Sequence, residues 1–183
     1  MARLENVLAQ IDAFNAKDPR GFEKPYSERL THWVLKLNPR PSEVLRIAAR
    51  GQHVGRWIVP RNIYPMDRGG YLRWREELKR FHAKTVGDMM AKEGYADIEI
   101  EAVKQIILKK NFQANPDAQT IEDALCLVFL ESQFEELRQK TPDPKMMDII
   151  KKTWKKMSPQ GQQVALAMDL PAEHRALIKK ALA

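Results

Sequence analysis

From Leu4 onward, apolar residues recur every three or four positions in almost every segment, and period-two alternation is missing. That spacing puts them on one face of an α-helix and leaves no pattern for a half-buried strand. LENVLAQIDAF aligns Leu4, Val7, Leu8, Ile11 and Phe14. Asp18-Pro19, Gly21 and Pro25 break that helix, and YSERLTHWVLKL resumes it with Tyr26, Leu30, Trp33, Val34 and Leu37 on one stripe. NPRPS interrupts again, and Ser42 is expected to cap EVLRIAARGQH. Between Val54 and Asp67 the period lapses, and Pro60, Asn62 and Pro65 exclude a long helix or a central strand. A long helix is predicted from Arg68 to about Glu93, stopped at Gly94.

Further on, YADIEIEAVKQIILKKN reads as a helix and FQANPDAQ as a loop. TIEDALCLVFLESQFEELRQK is expected to start at Thr120 as N-cap, with Asp123 three residues on, close to a capping box. Ala124 to Leu130 is apolar on all sides, which predicts a helix at the centre of the domain. TPDPKMMDIIKKTWKKM, SPQGQQVALAM with Pro159 in its first turn, and PAEHRALIKKALA complete an all-α class.

The length of 183 residues and the 44% hydrophobic content suit a single compact helical domain over 1–183. With 31 Lys+Arg against 24 Asp+Glu the net charge is +7, which favours anionic partners, plain solubility being the alternative. One cysteine excludes an intrachain disulfide and zinc-finger spacing, and Cys126 in ALCLVFLE reads as a small core residue. No run approaches the ~20 apolar residues that span a bilayer, so no membrane partner is expected. MARLENVLAQ lacks a secretory apolar stretch, so the expected location is cytoplasmic.

Three residues stand out as candidate metal ligands. His82 shares a face with Leu78, Thr85, Val86 and Met89, and a buried imidazole needs a carbonyl, a carboxylate or a metal as partner. Asp123 lies on the stripe of Cys126, Leu127 and Leu130, where a carboxylate is paired, binds metal, or helps Thr120 cap its helix. His53 stands where a helix gives way to the long loop. A nitrogen-and-oxygen set of His53, His82 and Asp123 suits divalent manganese, iron, cobalt, nickel or zinc, which would activate water. Glu28 is a candidate catalytic carboxylate beside Asp123, with an exposed surface role as the even alternative; His32 and His174 are expected at the surface.

Arg50, Arg56, Arg61, Arg68, Arg73 and Arg75 are interleaved with Trp57, Tyr64, Tyr71 and Trp74. Arginine forks grip phosphate and aromatic rings stack on bases. Arg29, Arg50, Arg56, Arg61, Arg75 and Trp57 are therefore the candidate substrate-binding residues, against a solvated arginine face over a buried aromatic core. KKTWKKM reads as a solvated helix face around Trp154.

The stretches ARGQHVGRW, PRNIYPMDRGGYLRWR, LKRFHA, EDALCLVFLE and KTWKKMSPQG resemble the domain-of-unknown-function family 4202, from about Leu8 to Leu182. That family brings no established activity. More distantly, the order of elements resembles the HD superfamily of helical metal-dependent phosphohydrolases. ARGQHVGR resembles the segment of its His-Asp pair, with Gln52-His53 in that place. FHAKTVGDMMAKEGYADIEIEAVKQII resembles the following helix pair, opening with His82, and IEDALCLVFLE the helix that supplies the last aspartate, Asp123. Glu28, Arg29 and His32 all fall near the place of the first histidine.

The resemblance implies an HD-like core over about 26–140, with C-terminal helices 142–183 packed on it. It implies a metal-dependent phosphohydrolase-like protein acting on a nucleotide-like or other phosphorylated small molecule. The alternatives are a non-catalytic anion- or nucleotide-binding helical module and, less favoured, a nucleic-acid-binding protein.

Overall fold

Polar caps and prolines set where each helix begins in the computed structural model, which describes residues 2–110 and 114–183. Helix α1 is Ala2–Asn15. Helix α2, Glu23–Leu37, starts three residues before the predicted Tyr26. Pro25 does not break it, because a first-turn N–H has no intrahelical partner to lose. The buried Asp18 carboxylate accepts backbone N–H groups from Arg20 (3.1 Å), Phe22 (2.8 Å) and Glu23 (3.1 Å), and so holds the start of α2.

Ser42 caps α3, Glu43–Gly51, as predicted, its hydroxyl accepting from the Leu45 N–H at 3.1 Å. The helix stops before His53, and Gly55 turns the chain at φ +67, a left-handed conformation that favours glycine. Two single 3-10 turns, Arg56–Ile58 and Arg61–Ile63, occupy the predicted loop. Asp67 caps the long helix α4, Arg68–Lys92, by accepting from Gly70 N–H at 2.6 Å, and Gly94 follows its end at φ +74. Helix α5 is Asp97–Leu108; residues 111–113, which the predicted helix and loop share, lie outside the described residues.

Thr120 does not begin the next helix. Helix α6 is Pro116–Val128, and the Asn115 side chain accepts from the N–H groups of Asp117 (3.0 Å) and Ala118 (3.3 Å). Asn-Pro supplied a cap and a first-turn proline, a stronger start signal than Thr120. A π-helical stretch, Phe129–Gln133, leads to α7, Phe134–Gln139. Helices α8 (Asp143–Lys156), α9 (Pro159–Leu166) and α10 (Ala172–Leu182) follow. The described chain is all-α, without a strand, and no helix in it is long and apolar enough to cross a membrane.

Contacts cluster in two compact units, Met1–Ala118 and Gln119–Ala183, dividing inside α6. In the first unit α3 packs against α1, α2, α4 and α5, and α4 lies along α5. Its buried side chains include Val7, Ile11, Leu30, Val34, Leu45, Ile47, Leu78, Val86, Met90, Val103 and Ile107. Gly51 permits a close approach of α3 to α4, because a Cβ there would collide with the Val86 side chain. In the second unit α8 packs on α10 over a core that includes Leu127, Phe134, Met146, Ile150 and Ile178.

Candidate functional site: a cationic cluster around two histidines

The Gly51–Val86 crossing sets the site, because the residues just past Gly51 meet the turn of α4 one step before Val86. His82 Nδ1 donates to the Val54 carbonyl at 2.7 Å. A carbonyl only accepts, so the proton sits on Nδ1 and Nε2 keeps its lone pair. His82 is 2% exposed, and its Nε2 is buried without a partner. Burial pushes the His82 pKa down to about 4; the bond to Val54 works against that shift, and Arg56 and Arg75 add to it. The ring is neutral at physiological pH.

His53 lies beside it, ring centroids 5.9 Å apart, and stacks on Tyr26 of α2 at 4.6 Å. Its surface is partly exposed, yet burial is the largest influence lowering its pKa well below the usual range, followed by the charges of Arg56, His82, Arg75 and Lys109. Arg56, in the first 3-10 turn, lies 4.8 Å over the Trp74 ring, and Trp74 Nε1 pins the loop by donating to the Val59 carbonyl at 2.8 Å. Burial lowers the Arg56 pKa and Glu23 works against that. Glu23 itself is buried, and burial pushes its carboxyl up to about 7, opposed by Arg56. Arg75 donates to the Tyr71 hydroxyl at 3.0 Å. Gln52, next to His53, is buried with its Oε1 unpartnered.

The structure thus gathers His53, His82, Arg56 and Arg75 from the sequence-based set, and adds Glu23 and Tyr26. Sequence reasoning misses Glu23, because reading Pro25 as a break leaves Glu23 in a loop; a first-turn proline is the signal that places it on α2. The other candidates have different partners. Arg50 is bidentate on Asp12, at 2.6 and 2.8 Å, and lies 3.6 Å from Glu28. Arg61 pins its own loop by donating to the carbonyls of Tyr64 (3.0 Å) and Asp67 (3.3 Å). Trp57 packs on Phe14 at 5.9 Å. Arg29 and His32 are exposed on α2.

Asp123 belongs to the second unit. Its carboxylate accepts from the backbone N–H of Ser158 (2.7 Å), from the Ser158 hydroxyl and from Gln119 Nε2 (2.9 Å). It serves the start of α9, which Ser158 caps, and not the start of its own helix. His174 is buried rather than at the surface: Nε2 meets Glu135 at 2.6 Å and the ring packs on Phe134 at 4.7 Å.

Among the described residues no group of three or more His, Cys, Asp or Glu side chains is gathered as a metal ion requires. Around His53 and His82 the charges that act are mostly positive, from Arg56, Arg75 and Lys109. An anion fits that field. Within the cluster, His82 has the geometry of a ligand, with one ring nitrogen held by a carbonyl and the other lone pair free.

The fold and the cluster define an all-helical protein with a basic, imidazole-lined site in its first unit. The chain belongs to the family described as Domain of unknown function (DUF4202), whose model matches residues 5–178. No curated protein and no solved structure matches the chain.

Proposed function

We propose that the first unit binds a phosphorylated small molecule, nucleotide-like in its combination of phosphate and ring, at Arg56, Arg75 and His53. The observation that carries this is the convergence of two guanidinium groups on the His53–His82 pair: Arg56 is laid 4.8 Å over the Trp74 ring, Arg75 is held by the Tyr71 hydroxyl at 3.0 Å, and both act on the two imidazoles, whose ring centroids are 5.9 Å apart. Phosphate accepts from both guanidinium groups. Tyr71 is exposed beside Arg75, and the partly exposed His53 ring offers a second flat face for a base.

Titration calorimetry with inorganic phosphate and with a nucleoside monophosphate tests this. Binding of both, weakened ~10-fold or more in Arg56→Gln and in Arg75→Gln, is the expected result, since each removes a charge-assisted bond. Heats of dilution alone at millimolar ligand would sink it.

A second reading, metal-dependent phosphohydrolysis of HD type, has the His82 tautomer in its favour. There His82, with His53 beside it, is a nitrogen ligand of a divalent manganese, iron, cobalt, nickel or zinc ion. Elemental analysis of the purified chain decides it: one equivalent of metal, lost in His82→Ala, supports it, and its absence removes it.

A further inference from the structure

Five of the ten large apolar side chains exposed among the described residues fall between Ile58 and Leu72. Ile63 (68% exposed), Met66 (80%) and Leu72 (55%) are the barest of the five. Single exposed apolar residues need no explanation; a run of them on a braced backbone does. This backbone is braced. Trp74 Nε1 holds the Val59 carbonyl at 2.8 Å, and Arg61 closes the loop on the carbonyls of Tyr64 (3.0 Å) and Asp67 (3.3 Å). The chain at Pro65 lies so close to α4 that a Cβ at Gly70 would strike its backbone.

The charge along the same segment is positive, and it is carried by arginine. Between Leu37 and Leu78 the chain has eight arginines and no lysine. Between Arg56 and Arg75, five arginines stand against one carboxylate, Asp67, which is committed to capping α4. Arg68 and Arg73 are exposed and make no ion pair among the described residues. Glu76 and Glu77, one turn on from Arg73, are taken by Lys79 and by the Tyr64 hydroxyl. Protein–protein interfaces are enriched in arginine and methionine and depleted in lysine, and a guanidinium gives up water more readily than an ammonium.

We infer that this surface docks an acidic amphipathic segment of a partner protein. Apolar side chains of that segment cover Ile63, Met66 and Leu72, and its carboxylates meet Arg68 and Arg73. The charge selects this occupant. A second copy of the chain would bring the same positive surface across a two-fold axis, like charge against like. A bilayer surface is served by tryptophan at the headgroup level, but Trp74 is buried under the loop, Trp57 packs on Phe14, and the barest side chains are aliphatic. The surface is separate from the anion site, since it uses none of His53, Arg56 and Arg75.

The full chain, with isotope-labelled Ile, Leu and Met methyl groups, is titrated by NMR with a synthetic peptide repeating Glu-Leu-Glu-Glu-Leu-Leu-Glu. The methyl signals of Ile63, Met66 and Leu72 are expected to shift together, and binding to weaken as salt rises. Met66→Asp, and Arg68→Glu with Arg73→Glu, are each expected to weaken binding ~10-fold or more. A peptide with lysine in place of every glutamate is expected to bind only the charge-reversed chain. These three positions are exposed, and glutamate in the first turn of α4 suits the helix dipole, so the variants keep the fold. Met66→Asp is expected to bind inorganic phosphate as the wild type does, which separates this result from the anion reading. No shift of these methyls at millimolar peptide, or equal binding of both peptides to the wild type, overturns the inference. So do shifts that follow chain concentration alone, which would make a second copy the occupant, and binding to phosphatidylserine vesicles in place of the peptide.

Discussion

His82 Nδ1 and the Val54 carbonyl oxygen lie 2.7 Å apart, tying the middle of α4 to the turn that follows α3. Val54 is fully buried, so no solvent replaces the donor if the imidazole is removed. His82→Leu is expected to destabilise the protein by about 1–3 kcal/mol, the cost of an orphaned buried acceptor. Urea melts at neutral pH measure it; an unchanged midpoint would show that the bond holds nothing together.

Arg50 and Asp12 form the second long-range tie, α3 to α1, through two parallel hydrogen bonds. Both side chains are mostly buried, so breaking the pair costs more than replacing it. Asp12→Ala is expected to cost about 2 kcal/mol, and Asp12→Leu with Arg50→Met together less than the sum of the single changes. Strict additivity in that double-mutant cycle would remove the coupling.

The first unit also has an opposed pair of titrations. His82 binds its proton at about 4 in the fold against 6.5 in an ordinary imidazole, so its contribution is complete above pH 6.5 and is lost as pH falls towards 4. His53 acts in the same direction. Glu23 holds its proton to about pH 7 against an ordinary 4.5, so its contribution is complete below pH 4.5 and is lost as pH rises through 7. Glu23 therefore offsets part of the acid sensitivity of the histidines. Glu23→Gln is expected to steepen the loss of stability on acidification, by up to about 1.4 kcal/mol per pH unit between pH ~4.5 and ~7. Thermal melts across that range, wild type against variant, read the difference; parallel curves would contradict it.

In the second unit Asp123 holds Ser158, and Gly161 leaves room for it. A Cβ at Gly161 would stand 2.6 Å from the Asp123 Cγ. Asp123→Ala and Gly161→Ala are both expected to destabilise, by about 1–3 kcal/mol each, and to be non-additive because they disturb one contact. Hydrogen exchange in α9 should rise in both variants.

How much of this was legible in the sequence differs by scale. The three- and four-residue spacing specified the all-α class, and short local signals placed the Ser42 cap, the α4 start at Arg68 and the Gly94 stop, because each depends on neighbours within one turn of helix. Pro25 and Thr120 misled for the same local reason: proline is tolerated in a first turn, and Asn115-Pro116 was the better start. The family resemblance was also legible and holds over residues 5–178.

Which polar groups meet was decided only in three dimensions. Sequence spacing shows that His82 faces the core, but not that the Val54 carbonyl waits there; that depends on α3 and α4 crossing at Gly51 and Val86. Likewise a buried aspartate at position 123 needs a partner by energetics alone, yet only the fold names Ser158, 35 residues away. Burial and charge at Glu23 and Arg56 arise from the same packing, because desolvation is a property of everything surrounding a group and not of its neighbours along the chain.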